Sequence, residues 1–192
     1  MVKELRGIVW LVATLWIVHL TDVVLPIDFN LYGLVPRTAW GLIGIPLMPF
    51  LHASWGHLLG NTIPLCILLF ILFGSRRVYL EVILSIVIGG GALLWCFGRS
   101  AIHVGASGFV YGLVAFLIAS GFLDRKPVSI FLALLVGFLY GATLLFGVLP
   151  TVGAAVSWDG HLFGAIAGVA AAFALAKNAS GNEEQSPEEL NT

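Results

Sequence analysis

The run VGASGFVYGLVAFLIASGFL, Val104 to Leu123, is 20 residues long and carries no charged side chain. A helix rising about 1.5 Å per residue needs about 20 residues to cross a hydrocarbon core of about 30 Å, so this run alone is long enough to span a bilayer. Near its start stands Ser107, inside Gly105-Ala106-Ser107-Gly108. Outward from it lie five more apolar runs of similar length: Gly7–Leu25, Gly56–Phe73, Val78–Phe97, Val128–Leu149 and Trp158–Ala176. They are apolar on all sides, whereas a membrane β-barrel is written in many alternating segments of about ten residues. The expected fold is an all-α integral membrane protein, a six-transmembrane-helix bundle.

Composition agrees. Hydrophobic residues make up 59% of the chain and charged ones 10%, with a mean hydropathy of +1.03, too little polar surface to cover a water-soluble globule. The net charge of -1 offers no basic surface for nucleic acid. Cys66 and Cys96 both lie in apolar runs and read as small apolar fillers rather than a disulfide framework. Residues 1–177 form one membrane domain, and residues 178–192 are expected to be a polar, disordered cytoplasmic tail. The start, Met1-Val2-Lys3-Glu4-Leu5-Arg6 before apolar residues, is similar to a secretory signal. No small-x-small cleavage site closes the run, so a retained helix is expected.

Basic residues set the expected orientation. With the N-terminus in the cytoplasm, Lys3, Arg6, Arg76, Arg77, Arg125, Lys126 and Lys177 lie inside, and Arg37 and Arg99 outside. Both termini are then cytoplasmic, in a prokaryotic plasma membrane. The second, fourth and sixth spans all start at the outer face, which brings His52, His57, Asn61, Ser107 and His161 to one depth.

A serine in a membrane helix ordinarily bonds back to a carbonyl one turn earlier, and flanking glycines ordinarily serve helix packing. Lone interfacial histidines such as His19 and His103 are read as incidental. The spacing argues for more at the other positions. His57 and Asn61 are four apart and share a helix face, and His161, Gly164 and Gly168 fall at i, i+3 and i+7 on another. Ser107, Gly108, Tyr111 and Gly112 lie close around one side of the fourth span. A glycine stripe beside a serine and a histidine is what close approach of the fourth and sixth spans requires, because nucleophile and base must come within about 2.6–3.2 Å.

At these residues the chain resembles the rhomboid family of intramembrane serine proteases. The resemblance rests on His52-x4-His57-x3-Asn61, Gly105-x-Ser107-Gly108-x2-Tyr111 and His161-x2-Gly164-x3-Gly168, in the family's order. It implies Ser107 as nucleophile, His161 as general base, and His57 and Asn61 as oxyanion donors together with a backbone amide near Ser107. It also implies Tyr111 packed against the His161 imidazole, His52 as a supporting residue, and a single-span membrane protein as substrate, opened near its outer end at small residues. Some family features are replaced. The Trp-Arg pair of the first external loop is here Trp40-Gly41, the Glu-x-Arg after the second span is Gly74-Ser75-Arg76-Arg77, and Gly160 precedes the last histidine. The segment from Asp28 to Ser54, with Pro36, Pro46 and Pro49, still looks like the family's loop lying partly in the outer leaflet.

No carboxylate is well placed in sequence to complete a triad, because Asp159 lies two residues, about 200° of helix rotation, from His161. A Ser-His dyad is the simplest mechanism, and no cofactor is expected. A transporter would show repeated halves with paired interrupted segments, and none is visible. A zinc site of His52, His57 and His161 has no glutamate nearby to act as base. An aspartyl protease would need two aspartates in adjoining spans. The remaining alternative is an inactive relative that binds membrane clients.

Overall fold

The structure, a computed structural model, describes residues 2–75, 78–150 and 156–184. Its long helices are α1 (Val2–Val24), α2 (Trp55–Ser75), α3 (Tyr79–Phe97), α4 (Ser107–Asp124), α5 (Pro127–Gly147) and α6 (Trp158–Glu184). All 6 are long and apolar enough to cross a membrane, giving the expected bundle of an integral membrane protein. Arg76 and Arg77, two of the basic residues used for orientation, lie outside the described residues.

Helix ends shift from the sequence expectation at several places, and two of these shifts bear on the site or the tail. α4 starts at Ser107 instead of Val104, because Gly105 has φ +112 and its N–H donates to Met48 O at 2.8 Å. A residue at that φ belongs to a turn, and glycine takes it without a Cβ penalty. α6 continues past residue 177 to Glu184, so the helix enters the segment expected as tail. Residues 185–192 lie outside the described residues.

α4 occupies the centre. Leu113, Val114, Phe116 and Leu117 are buried in the main core with Leu65, Leu68 and Leu69 of α2 and Ile86 of α3. Its contact with α6 runs through glycine. A Cβ at Gly164 would stand 2.0 Å from Gly108 O, and one at Gly168 would stand 2.0 Å from Gly112 O. The two pairs advance in the same direction, so α4 and α6 run parallel and start at the same end. Backbone against backbone is the closest approach helices make, and in lipid this packing replaces the hydrophobic effect as the source of association.

Between α1 and α2 the chain makes short helical turns at Phe29–Tyr32, Trp40–Ile43, Gly44–Leu47 and Met48–Phe50. This loop is pinned to residues 98–106. Leu34 and His103 exchange main-chain hydrogen bonds of 3.0 and 2.8 Å. Arg37, at φ 58, donates to Gly98 O at 2.7 Å and Ser100 Oγ at 3.2 Å, capping the end of α3. Trp95 Nε1 returns a bond to Thr38 O at 2.8 Å. Arg37 and Trp95 thus anchor the loop in a chain that has Trp40-Gly41 in place of Trp-Arg.

Candidate active site

His161 stands one turn into α6 and is buried. Its ring stacks on Tyr111 of α4, with centroids 4.0 Å apart and planes at 10°. Its Nδ1 lies 2.9 Å from Gly147 O at the end of α5. A carbonyl can only accept, so Nδ1 carries the proton and Nε2 keeps the lone pair. Tyr111 is held in turn by its hydroxyl, which donates to Thr143 O at 2.9 Å.

Ser107 is the first residue of α4 and is half-buried. The first amides of a helix have no partner within it and form the positive end of its dipole, so the backbone around Ser107 presents free donors. Among the described residues, no hydrogen bond joins Ser107 Oγ to His161. Such bonds are often long in unliganded sites and tighten when substrate binds.

Asn61 and His57 arrive on one face of α2. A Cβ at Gly105 would stand 2.4 Å from His57 Nε2 and 3.5 Å from Asn61 Nδ2, so the turn before Ser107 lies directly against both side chains. Asn61 Nδ2 lies 3.1 Å from His52 Nε2, and the His52 and His57 rings meet edge to face at 5.1 Å. Burial, helped by the neighbouring His57, lowers the His52 pKa to about 4. His52 is therefore neutral near pH 7 and can accept one amide proton of Asn61, leaving the other free. A cavity of about 80 Å³ adjoins these groups, lined by Asn61 and Pro64 of α2, Ser107 and Tyr111 of α4, and Tyr140 and Thr143 of α5.

The structure therefore gathers Ser107, His161, Tyr111, His57, Asn61 and His52 at one end of the bundle, with Gly105 against the His57 and Asn61 side chains and Gly108, Gly164 and Gly168 in backbone contact between α4 and α6. Asp22 and Asp28 are engaged elsewhere: Asp22 accepts from Phe29 N and Asn30 Nδ2 at 2.5 and 3.2 Å, and Asp28 caps Asn30 at 3.0 Å. Among the described residues no group of three His, Cys, Asp or Glu side chains is arranged to hold a metal ion.

Two histidines read as incidental are both buried. His19 is buried, edge-on to Trp55 with centroids at 4.6 Å. His103 is buried beside Ser157 and Asp159. Sequence reasoning missed the Gly147 and Thr143 carbonyls altogether, since main-chain acceptors carry no residue signature.

The rhomboid domain model matches residues 36–178, which covers α2 to α5, α6 as far as residue 178, and most of the preceding loop. The chain is 42% identical over 175 residues to an uncharacterized protein of Mycobacterium tuberculosis, covering 85% of this chain and 72% of that protein. It is 39% identical over 173 residues to one of Mycobacterium leprae, covering 85% and 68%. No solved structure matches. The helix count, the order of the polar motifs and the family match agree, and the chain belongs to the rhomboid family.

Proposed function

We propose that the protein is an intramembrane serine endopeptidase that cuts single-span membrane proteins near the outer face of the bilayer with a Ser107–His161 dyad. The observation that carries this reading is the His161 Nδ1 contact with Gly147 O, which leaves Nε2 with a lone pair to act as base. In a serine-protease triad a carboxylate holds the histidine tautomer; here a main-chain carbonyl does so. The reaction then follows. Ser107 Oγ attacks the scissile carbonyl carbon as its proton passes to Nε2. The negative oxygen that forms is held by Asn61, His57 and the first amides of α4, in a site where low dielectric strengthens each well-aimed donor. The C–N bond breaks as His161 returns the proton to the leaving amine, and water, activated by the same nitrogen, releases the acyl-enzyme.

The cavity between α2, α4 and α5 suits a small side chain of the substrate next to Ser107. A peptide must be unwound to present its carbonyl there, because a helix already occupies its own. The inside-positive count puts both termini in the cytoplasm and the site in the outer half of the membrane. Arg37 and Arg99 lie at the end carrying the site, and Arg125 and Lys126 lie between α4 and α5 at the other.

The test is incubation of purified protein in lipid vesicles with a panel of single-span substrates, wild type beside Ser107→Ala. Cleavage by wild type alone is expected. Substrate capture without cleavage by either protein would replace the protease with the client-binding alternative.

A further inference from the structure

The glycine contact between α4 and α6 explains how close the helices come but not where along each other they stop. At Gly108, Gly112, Gly164 and Gly168 the contact is backbone on backbone, with no side chains to interlock, and the Tyr111–His161 stack is the side-chain contact across it already described. Further contacts at the end of the seam add to what fixes its register.

Just before Ser107 and just before His161, the chain supplies them. His103 is four residues before Ser107, and Ser157 is four before His161, whose N–H bonds to Ser157 O at 3.0 Å. His103 Nε2 lies 3.1 Å from Arg99 O, which can only accept, so Nδ1, at 2.7 Å from Ser157 Oγ, accepts the hydroxyl proton. Asp159 Oδ2 accepts from Arg99 N at 2.9 Å, and its Oδ1 lies 3.6 Å from Arg99 Nε and 3.4 Å from Ser157 Oγ. The Arg99 guanidinium also donates to Val156 O. His103 and Asp159 are each only 2% exposed, so these contacts stand out of water, where losing one partner is costly.

We infer that Arg99, His103, Ser157 and Asp159 form a positioning clasp that fixes the register of α6 on α4 and with it the Ser107 to His161 distance. The inference rests on the proposed dyad. None of the four touches the reacting atoms. The main-chain bonds between His103 and Leu34 extend the clasp to the outer loop, so loop, serine and histidine are held as one unit. Asp159 acts here through Arg99, accepting from its main-chain N–H and pairing with its guanidinium.

The test compares Asp159→Ala, Asp159→Asn and Ser157→Ala with wild type and Ser107→Ala, measuring kcat, KM, and the rate and final stoichiometry of fluorophosphonate labelling. A misplacement of about 1 Å can cost about 10² in rate, so Asp159→Ala should lose about that in kcat with little change in KM. Labelling of Ser107 should be slower in parallel yet reach full stoichiometry. Asp159→Asn, whose amide oxygen still accepts from Arg99 N, should recover most of the rate, and Ser157→Ala should show a smaller parallel loss. The clasp is overturned if activity falls only with the labelled fraction, or if Ser157→Ala keeps wild-type kcat and labelling rate. An Asp159→Asn protein as inactive as Asp159→Ala would also overturn it, since charge rather than position would then matter. Full cleavage by Ser107→Ala would remove the dyad itself, a result separate from any of these.

Discussion

α4 and α5 are neighbours in the bundle and differ most in how they are held. Of the α4 span 67% is buried, against 11% for α5. α4 meets α6 backbone to backbone, whereas only Ala133 and Val136 of α5 are buried, and Phe138 and Phe146 are 87% and 67% exposed. Near the site α5 contributes two carbonyls, Thr143 O and Gly147 O, and one wall of the cavity. Phenylalanines facing outward cost nothing in lipid, and α5 is held almost wholly by α4, against which Ser129 and Ala133 pack at Gly121. The difference separates two tasks. The proposed dyad sits beside the tight seam, and the α5 side of the cavity belongs to a helix whose other faces look outward.

The most severe way to test the seam is to remove the groups it brings together. Ser107→Ala and His161→Ala should each lower kcat by roughly 10⁶, with the double change costing little more, because members of one catalytic unit are not additive. Additive losses in a single-turnover assay would mean that the two do not act together. Next in size is the seam itself. Gly164→Val or Gly168→Val places carbon within 2.0 Å of a carbonyl on α4, so activity should collapse while the helices remain inserted. A folded, fully active Gly164→Val protein would show that the tight interface is not needed.

The proposed oxyanion donors lie against the turn before Ser107 and should matter less. Asn61→Ala and His57→Ala should each cost about 10²–10³ in kcat. Unchanged turnover in both would withdraw them from the site. Smaller still is the effect of pH through His52. Its pKa falls from 6.5 in the unfolded chain to about 4, so between these values the unfolded state binds more protons and stability drops as pH falls. Melting temperature should decline from pH 6.5 toward 4 and level off below, and His52→Gln should flatten the slope. An identical slope in that variant would assign the dependence to other groups. The least effect belongs to the loose side. Phe138→Leu, on the most exposed face of α5, should change stability by no more than about 0.5 kcal/mol and leave kcat unaltered.

Six spans were legible in the sequence because hydrocarbon imposes one length and one composition on any helix that crosses it. Ser107, His161, His57 and Asn61 stood out as candidates because polar groups are expensive there and their spacing put them at one depth. The same reasoning put Gly164 and Gly168 on the face of His161, where they meet α4. It could not find what holds the histidine. Gly147 O is a main-chain atom 14 residues away, and any residue type would present the same carbonyl. Nor could it join His103 to Ser157 or Arg99 to Asp159, pairs 54 and 60 residues apart that become neighbours only once α4 and α6 are parallel and in register. Sequence fixes depth, since the membrane reads each span separately. Register between spans arises only from packing, and tertiary structure alone decides it.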